Sequence, residues 1–371
     1  MKVFDVGIVG GGIIGQGIAY QLAKEGLKVA VFEGGTIGGK ATSAAAGMLG
    51  AHSENEERDI FYELCLESRN IYETLSAELM EQTGIDIELI NEGMYRLAFT
   101  EEEAVELQKL AETNVEFEFH PREYAFENEP SLSKSIKGAL WLKGDGQVKG
   151  SSVCYAFMKG AQKFGAKVFE QCPVMEIKKE GGGYKISTPS GSFLSNKVIV
   201  ASGVWSGIFF EQLGLNNPMK PVKGECFAVK PKKIIIKKTV FYDHCYIVPK
   251  KDGKVIIGAT SYENDWDANP TVKGISGLMT KVQKLIPSIG DEPIVDAWSS
   301  LRPQTEDSWP YFGEHPEYNG IYFATGHYRN GILLAPITSL IMKDIILNTK
   351  KYQRFLNAFS LNRLCSGAKG R

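Results

Sequence analysis

The sequence predicts an α/β protein in which a parallel-sheet unit carries an inserted antiparallel-sheet unit. Three observations support this class. A strand, glycine turn, helix and second strand open the chain. Two further apolar strands, near residues 197–203 and 320–325, run into glycine-containing loops. Between and around them lie stretches with period-two alternation and turn residues.

The opening stretch, from Val3 to Glu33, contains Gly10, Gly12 and Gly15 in GxGxxG spacing. Gly10 serves the tight turn, Gly12 lets backbone approach a pyrophosphate, and Gly15 permits close helix–strand packing. An anionic phosphate would sit on the helix N-terminus, where unpaired N–H groups and the helix dipole both favour it. Glu33 closes the second strand, where a carboxylate accepts hydrogen bonds from ribose hydroxyls and repels a 2′-phosphate. The fingerprint does not separate NAD from FAD.

After Glu33 a run of small residues, GGTIGGKATSAAAGMLGAH, leads into a helix over about Ile60 to Gln82 that stops at Gly84. A strand at Met94–Phe99 is followed by a helix that Thr100 and Glu103 open as a capping box. A helix near Ser152–Phe164 ends at Gly165. Short strands then fall at 167–169, 174–177, 184–187 and 193–194. The apolar strand 197–200 ends on Ala201, Ser202 and Gly203, small enough for a ligand to lie close; a plain core strand has the same pattern.

Residues 221–301 read as antiparallel, with a hairpin turn at Lys250-Lys251-Asp252-Gly253. Taken as one strand, TVFYDHCYIVP puts Tyr242, His244, Tyr246 and Val248 on one face, either as a ligand wall or as half-buried sheet aromatics. The C-terminal GIYFATGHYRNGILLAP repeats the opening design: strand, glycine loop, apolar helix.

Composition narrows the function classes. The 371-residue chain is 43% hydrophobic and 23% charged with a net charge of −2, so nothing points to nucleic acid or an anionic membrane. Six cysteines and five histidines show no metal-type spacing, which argues against both a metal site and a disulfide framework. The first apolar run is interrupted by Gly10, Gly11 and Gly12, so neither a signal peptide nor a membrane span is expected, and the cytoplasm is the expected location.

Four stretches together, GIVGGGIIG (7–15), TSAAAGML (42–49), VIVASGVWS (198–206) and GHYRNGILLAP (326–336), resemble the FAD-dependent D-amino-acid oxidase family. DHCYIVP and LRPQTEDSWPYFG extend the match over essentially the whole chain. It is most similar to the bacterial branch that oxidises glycine for thiamine synthesis.

The resemblance implies a Rossmann-type FAD-binding domain (1–84 with 145–215 and 302–371) carrying an inserted antiparallel-sheet substrate-binding domain (85–144 with 216–301). It implies non-covalent FAD. Gly10, Gly12, Ile13, Ile14 and Gly15 would hold the pyrophosphate, and Glu33 and Gly34 the ribose. Val174 would reach adenine. Thr42, Ser43, Ala46, Gly47 and Met48 would line one side of the flavin. His327, Tyr328, Arg329, Asn330, Gly331, Ile332 and Leu333 would lie at its pyrimidine end, beside a helix N-terminus.

Arg302 matches the arginine that pairs with a substrate carboxylate, Tyr246 a phenol that adds a hydrogen bond, and Arg329 a cation beside the flavin and the same carboxylate. Without the resemblance, each arginine reads as readily as a structural ion pair. The implied reaction is hydride transfer from a small amino acid to flavin, with O₂ reduced to hydrogen peroxide. Glycine, sarcosine and small D-amino acids are candidate substrates, a related dehydrogenase is an alternative, and a homotetramer is implied. From a different class, an NAD-dependent dehydrogenase or a non-catalytic flavin-binding subunit remains open. Lys40, Ser300 and the pair Lys149-Gly150 depart from the usual family residues.

Overall fold

The computed structural model describes residues 3–55 and 57–366. Its first sheet contains five parallel strands, in the order Ile321–Thr325, Gly191–Val200, Val3–Val9, Val29–Phe32 and Lys167–Phe169, with Tyr311–Glu314 antiparallel at one edge. These strands are runs of Val, Ile, Ala and Phe because helices and a meander cover both faces. Val6, Ile8, Val29 and Val31 point into a core shared with helices Ile13–Lys24, Ile60–Thr83, Gly150–Lys163 and Gly331–Leu347. Phe4, Ala30, Phe32 and Val200 point the other way, into a cluster with Phe210 and Phe323. The alternation follows from the two-residue period of a strand.

Local signals set several boundaries. Asp59 accepts hydrogen bonds from the amides of Phe61 and Tyr62, and Gly84 closes the same helix in the left-handed region (φ 71°). The capping box between Thr100 and Glu103 forms as expected. Helix Tyr328–Leu347 is long and apolar enough to cross a membrane, but 72% of it is buried within this fold, against Ile13–Lys24 and Ile60–Thr83. It is the apolar C-terminal helix that the sequence predicts. Cys365 has its side chain outside the described residues; the other five cysteines are buried and none is in a disulfide.

The second sheet has nine strands. Met94–Ala98 lies parallel to Thr239–Tyr242, which joins the strands of residues 94–142 to those of residues 219–305. Ile294–Thr305 pairs with Met219–Val229 along its whole length, so this sheet runs past the expected boundary at residue 301.

Two sequence expectations are corrected here. TVFYDHCYIVP is two strands, Thr239–Tyr242 and Cys245–Pro249, folded back at Asp243 and His244, both left-handed (φ 46° and 59°). A tight hairpin needs positive φ at both central positions, and Asp-His met that need without a glycine to signal it. Tyr242 packs on Phe99, and His244 stands exposed at the turn, so neither shares a wall with Tyr246. Val174 precedes its strand, which begins at Glu176.

Candidate active site

A cleft of 680 Å³ lies where the C-terminal ends of the parallel strands meet the antiparallel sheet. Open parallel sheets bind ligands at this edge because each strand there turns into a loop and a helix N-terminus.

At one end Gly10 adopts φ 110°, and a Cβ there would stand 2.5 Å from the Ala201 carbonyl. At Gly15 a Cβ would stand 2.0 Å from the Gly10 carbonyl, so Gly15 supports the turn from beneath and does not line the cleft. Thr42 Oγ1 accepts the Ile13 amide at 3.0 Å. The amides of Gly12 and Ile14 have no acceptor among the described residues. Glu33 follows the second strand, where its two oxygens accept the Gly11 amide at 2.7 Å and the Gly35 amide at 2.8 Å. Gly34 packs against Pro173, and Val174 lines the same wall.

In the middle, Thr42 and the turn through Ala46, Gly47 and Met48 form one side. Half-buried Lys250 braces that turn, donating to the carbonyls of Ala46 and Val148 and to Gln147 Oε1. Burial pulls its pKa down to about 7. Opposite lie His327, Tyr328, Asn330, Gly331 and Ile332, at the start of the apolar helix. His327 pairs with Thr338 Oγ1, and burial pushes its pKa down to about 3, so the ring stays neutral.

Two expected lining residues are corrected. Ser43 is exposed and turns its hydroxyl back to the Lys40 carbonyl, while Ala41, Thr42 and Ala44 of the same short helix line the cleft. Leu333 lies in the core beneath the cleft, one helical position beyond Ile332.

The other end is built by the antiparallel sheet. Arg302, on Ile294–Thr305, lies across Gly224 of the neighbouring strand, and its Nη1 donates to the Thr260 carbonyl at 3.1 Å. Among the described residues it pairs with no carboxylate. The Tyr246 hydroxyl lies 3.3 Å from Cys226 Sγ, and burial raises its pKa well above the usual phenol range, so it remains a neutral donor. Both the Arg302 and the Arg329 charges act on this phenol. Arg329 is held by Glu54 through two bonds, Nε to Oε2 at 2.8 Å and Nη2 to Oε1 at 3.1 Å.

Of the departures, Lys40 and Ser300 line the cleft, with Lys40 over the Trp205 ring, while Lys149 pairs with Glu88 away from it. His52 is a buried structural group bound to Tyr62 and Glu116. Sequence reasoning missed the role of Glu54, which stands in no motif, and read Lys250 only as a hairpin-turn residue; each meets its partner only through a contact distant in sequence.

A family model described as FAD dependent oxidoreductase matches residues 5–345. The chain belongs to the FAD-dependent oxidoreductase family. Among relatives of this oxidoreductase, glycine oxidase of Bacillus subtilis (strain 168) is 45% identical over 360 residues, 97% of each chain. The crystal structure of glycine oxidase from Geobacillus kaustophilus superposes with a TM-score of 0.93 at 40% identity, covering 98% of this chain and 99% of that one. Glycine oxidase from Bacillus cereus ATCC 14579 gives 0.89 at 35% identity, over 95% and 97%.

The oxidoreductase's cleft fits FAD. At Gly12 a Cβ would meet only Thr42 Oγ1, at 3.5 Å, and would otherwise occupy the space a pyrophosphate needs beside the two acceptor-free amides. Glu33 offers its remaining lone pairs to a ribose. The helix opening at Gly331 presents its N-terminus to the far end of a flat ring. The NAD reading falls with the family assignment.

Proposed function

We propose that this enzyme oxidises glycine, deaminating it to glyoxylate and ammonia. One observation carries the reading: Arg302, a guanidinium without a carboxylate partner among the described residues, stands beside the neutral phenol of Tyr246 at the end of the cleft away from the Gly10–Glu33 cradle. A planar guanidinium offers parallel donors to both oxygens of a carboxylate, so it sets orientation as well as affinity. The close likeness to glycine oxidases supports the choice of glycine among small amino acids.

Bound FAD supplies the two-electron acceptor. The residues do the rest by positioning. Arg302 and Tyr246 anchor the carboxylate, which fixes the substrate Cα and leaves its amine unclamped. The side chains at this end supply no free base: Glu54 is engaged by Arg329, and His327 is buried and paired with Thr338. A substrate bound as the free amine therefore supplies its own electron push and needs no side chain to remove a proton from carbon. The neutral His327 adds no charge beneath the site.

Release of hydrogen peroxide, homotetrameric assembly, a cytoplasmic location and service to thiamine thiazole synthesis belong to the same proposal. The test is aerobic incubation of the holoenzyme with glycine, followed for peroxide and glyoxylate, together with anaerobic bleaching of the bound flavin. A yellow enzyme that glycine neither bleaches nor consumes would end the glycine reading; sarcosine or a D-amino acid bleaching it instead would redirect it. Light scattering and cell fractionation check assembly and location.

A further inference from the structure

Among the described residues, the substrate end of the cleft contains two guanidinium groups, of which Arg329 has a carboxylate partner and Arg302 has none. Arg329 spends two of its donors on Glu54, whose side chain is 12% exposed on the cleft wall. The segment carrying Glu54 is pinned. The buried Asp145 carboxylate accepts the amides of His52 and Ser53, Arg69 pairs with Asp145 and with Glu116, and Glu116 holds the His52 ring. The Glu54 amide closes the turn onto the Gly50 carbonyl at 3.1 Å. A carboxylate held this firmly in a bidentate pair is a fixed charge of the site.

We propose that Glu54 sets the substrate's charge class: by occupying Arg329 it leaves the cleft a single guanidinium, Arg302, and so admits amines with one carboxylate while rejecting those with two. The inference rests on the reading of this cleft as an amino-acid oxidase site. A carboxylate or phosphonate carried on the substrate's nitrogen meets in Arg329 a cation already neutralised, and Glu54 itself repels it; Lys40, the other cation on the cleft lining, lies over the Trp205 ring. Specificity is thus made partly by an interaction that disfavours the wrong ligand. Glu54 acts through Arg329 and is a positioning residue.

The test uses FAD-loaded enzyme as wild type, Glu54→Gln, Glu54→Asp, Arg329→Gln and the Glu54→Gln/Arg329→Gln double variant. Acetate and malonate are titrated against the visible spectrum of the bound flavin, and kcat and KM are measured for glycine and iminodiacetate. In Glu54→Gln, malonate should tighten at least tenfold relative to acetate, and kcat/KM for iminodiacetate should rise at least tenfold relative to glycine, mainly through KM. Glu54→Asp should stay within threefold of the wild-type ratios. Adding Arg329→Gln to Glu54→Gln should remove the gain, and Arg329→Gln alone, which bares Glu54, should weaken malonate at least tenfold relative to acetate.

Unchanged ratios in Glu54→Gln, or a gain that survives in the double variant, overturn the proposal. If Glu54→Gln fails to retain FAD, Arg329→Gln decides alone, and an unchanged ratio there also overturns it. Wild-type enzyme that ignores glycine would refute the functional reading, while the acetate and malonate titrations would still decide the role of Glu54.

Discussion

Replacing Gly224 with alanine should weaken substrate binding by displacing Arg302 without replacing it. An added Cβ would stand 2.3 Å from Nη2, 2.4 Å from Cζ and 2.5 Å from Nη1 of Arg302. Ordinary carbon contacts lie at about 3.5–4.0 Å, so the guanidinium must retreat by roughly 1 Å or more. The backbone at Gly224 is not in the left-handed region, and the clashing atoms end a flexible side chain, so the fold absorbs the change. The loss of the Thr260 hydrogen bond costs about 1 kcal/mol, a fall of only about 1 °C in Tm for a chain of this length. A displacement of about 1 Å in a positioning group lowers the rate about 100-fold. We therefore expect kcat/KM for glycine to fall about 100-fold in Gly224→Ala, largely through KM, with FAD content unchanged. Steady-state peroxide release measures the first and absorbance of the purified enzyme the second. A kcat/KM within threefold of wild type would show that Arg302 does not anchor the substrate from this position.

Arg302→Ala removes the anchor outright, and the lost charge-assisted pairing of about 2–4 kcal/mol should lower kcat/KM roughly 30- to 1,000-fold; unchanged glycine kinetics would refute the role. Glu33→Ala should weaken FAD retention, since it removes the ribose acceptor and leaves the Gly11 and Gly35 amides without their partner; full flavin content after gel filtration would contradict this. Lys250 has a folded pKa of about 7 against its ordinary 10.5. Between those values the unfolded chain binds a proton that the folded chain does not, so this group makes stability rise with pH across that window. Lys250→Met should flatten the rise in urea midpoint between about pH 7 and about pH 10; equal slopes in the two proteins would exclude this lysine as its source.

Much of the cradle was legible because its information is local. The spacing of Gly10, Gly12 and Gly15 and the turn through Ala46, Gly47 and Met48 act largely through backbone, Glu33 is the acid that ends the second strand of the same unit, and the folded chain gathers them along the cleft or, for Gly15, just beneath it. Helix boundaries at Asp59, Gly84 and Thr100 were readable for the same reason: a cap is a contact between near neighbours in sequence. Ser43 and Leu333 show the limit, since membership of a motif does not say which side of a short helix faces a ligand.

The sequence by itself determined that a dinucleotide-type turn opens the chain and that an arginine, Arg302, was available to bind an anion. It took the folded chain to lay Arg302 across Gly224, with no carboxylate partner among the described residues, and to tie Arg329 to Glu54. Folding also separates Tyr246 from His244 at a left-handed turn. The physical reason is that an arginine's role depends on which carboxylate reaches it, and that is set by strand register and loop anchoring between residues hundreds of positions apart.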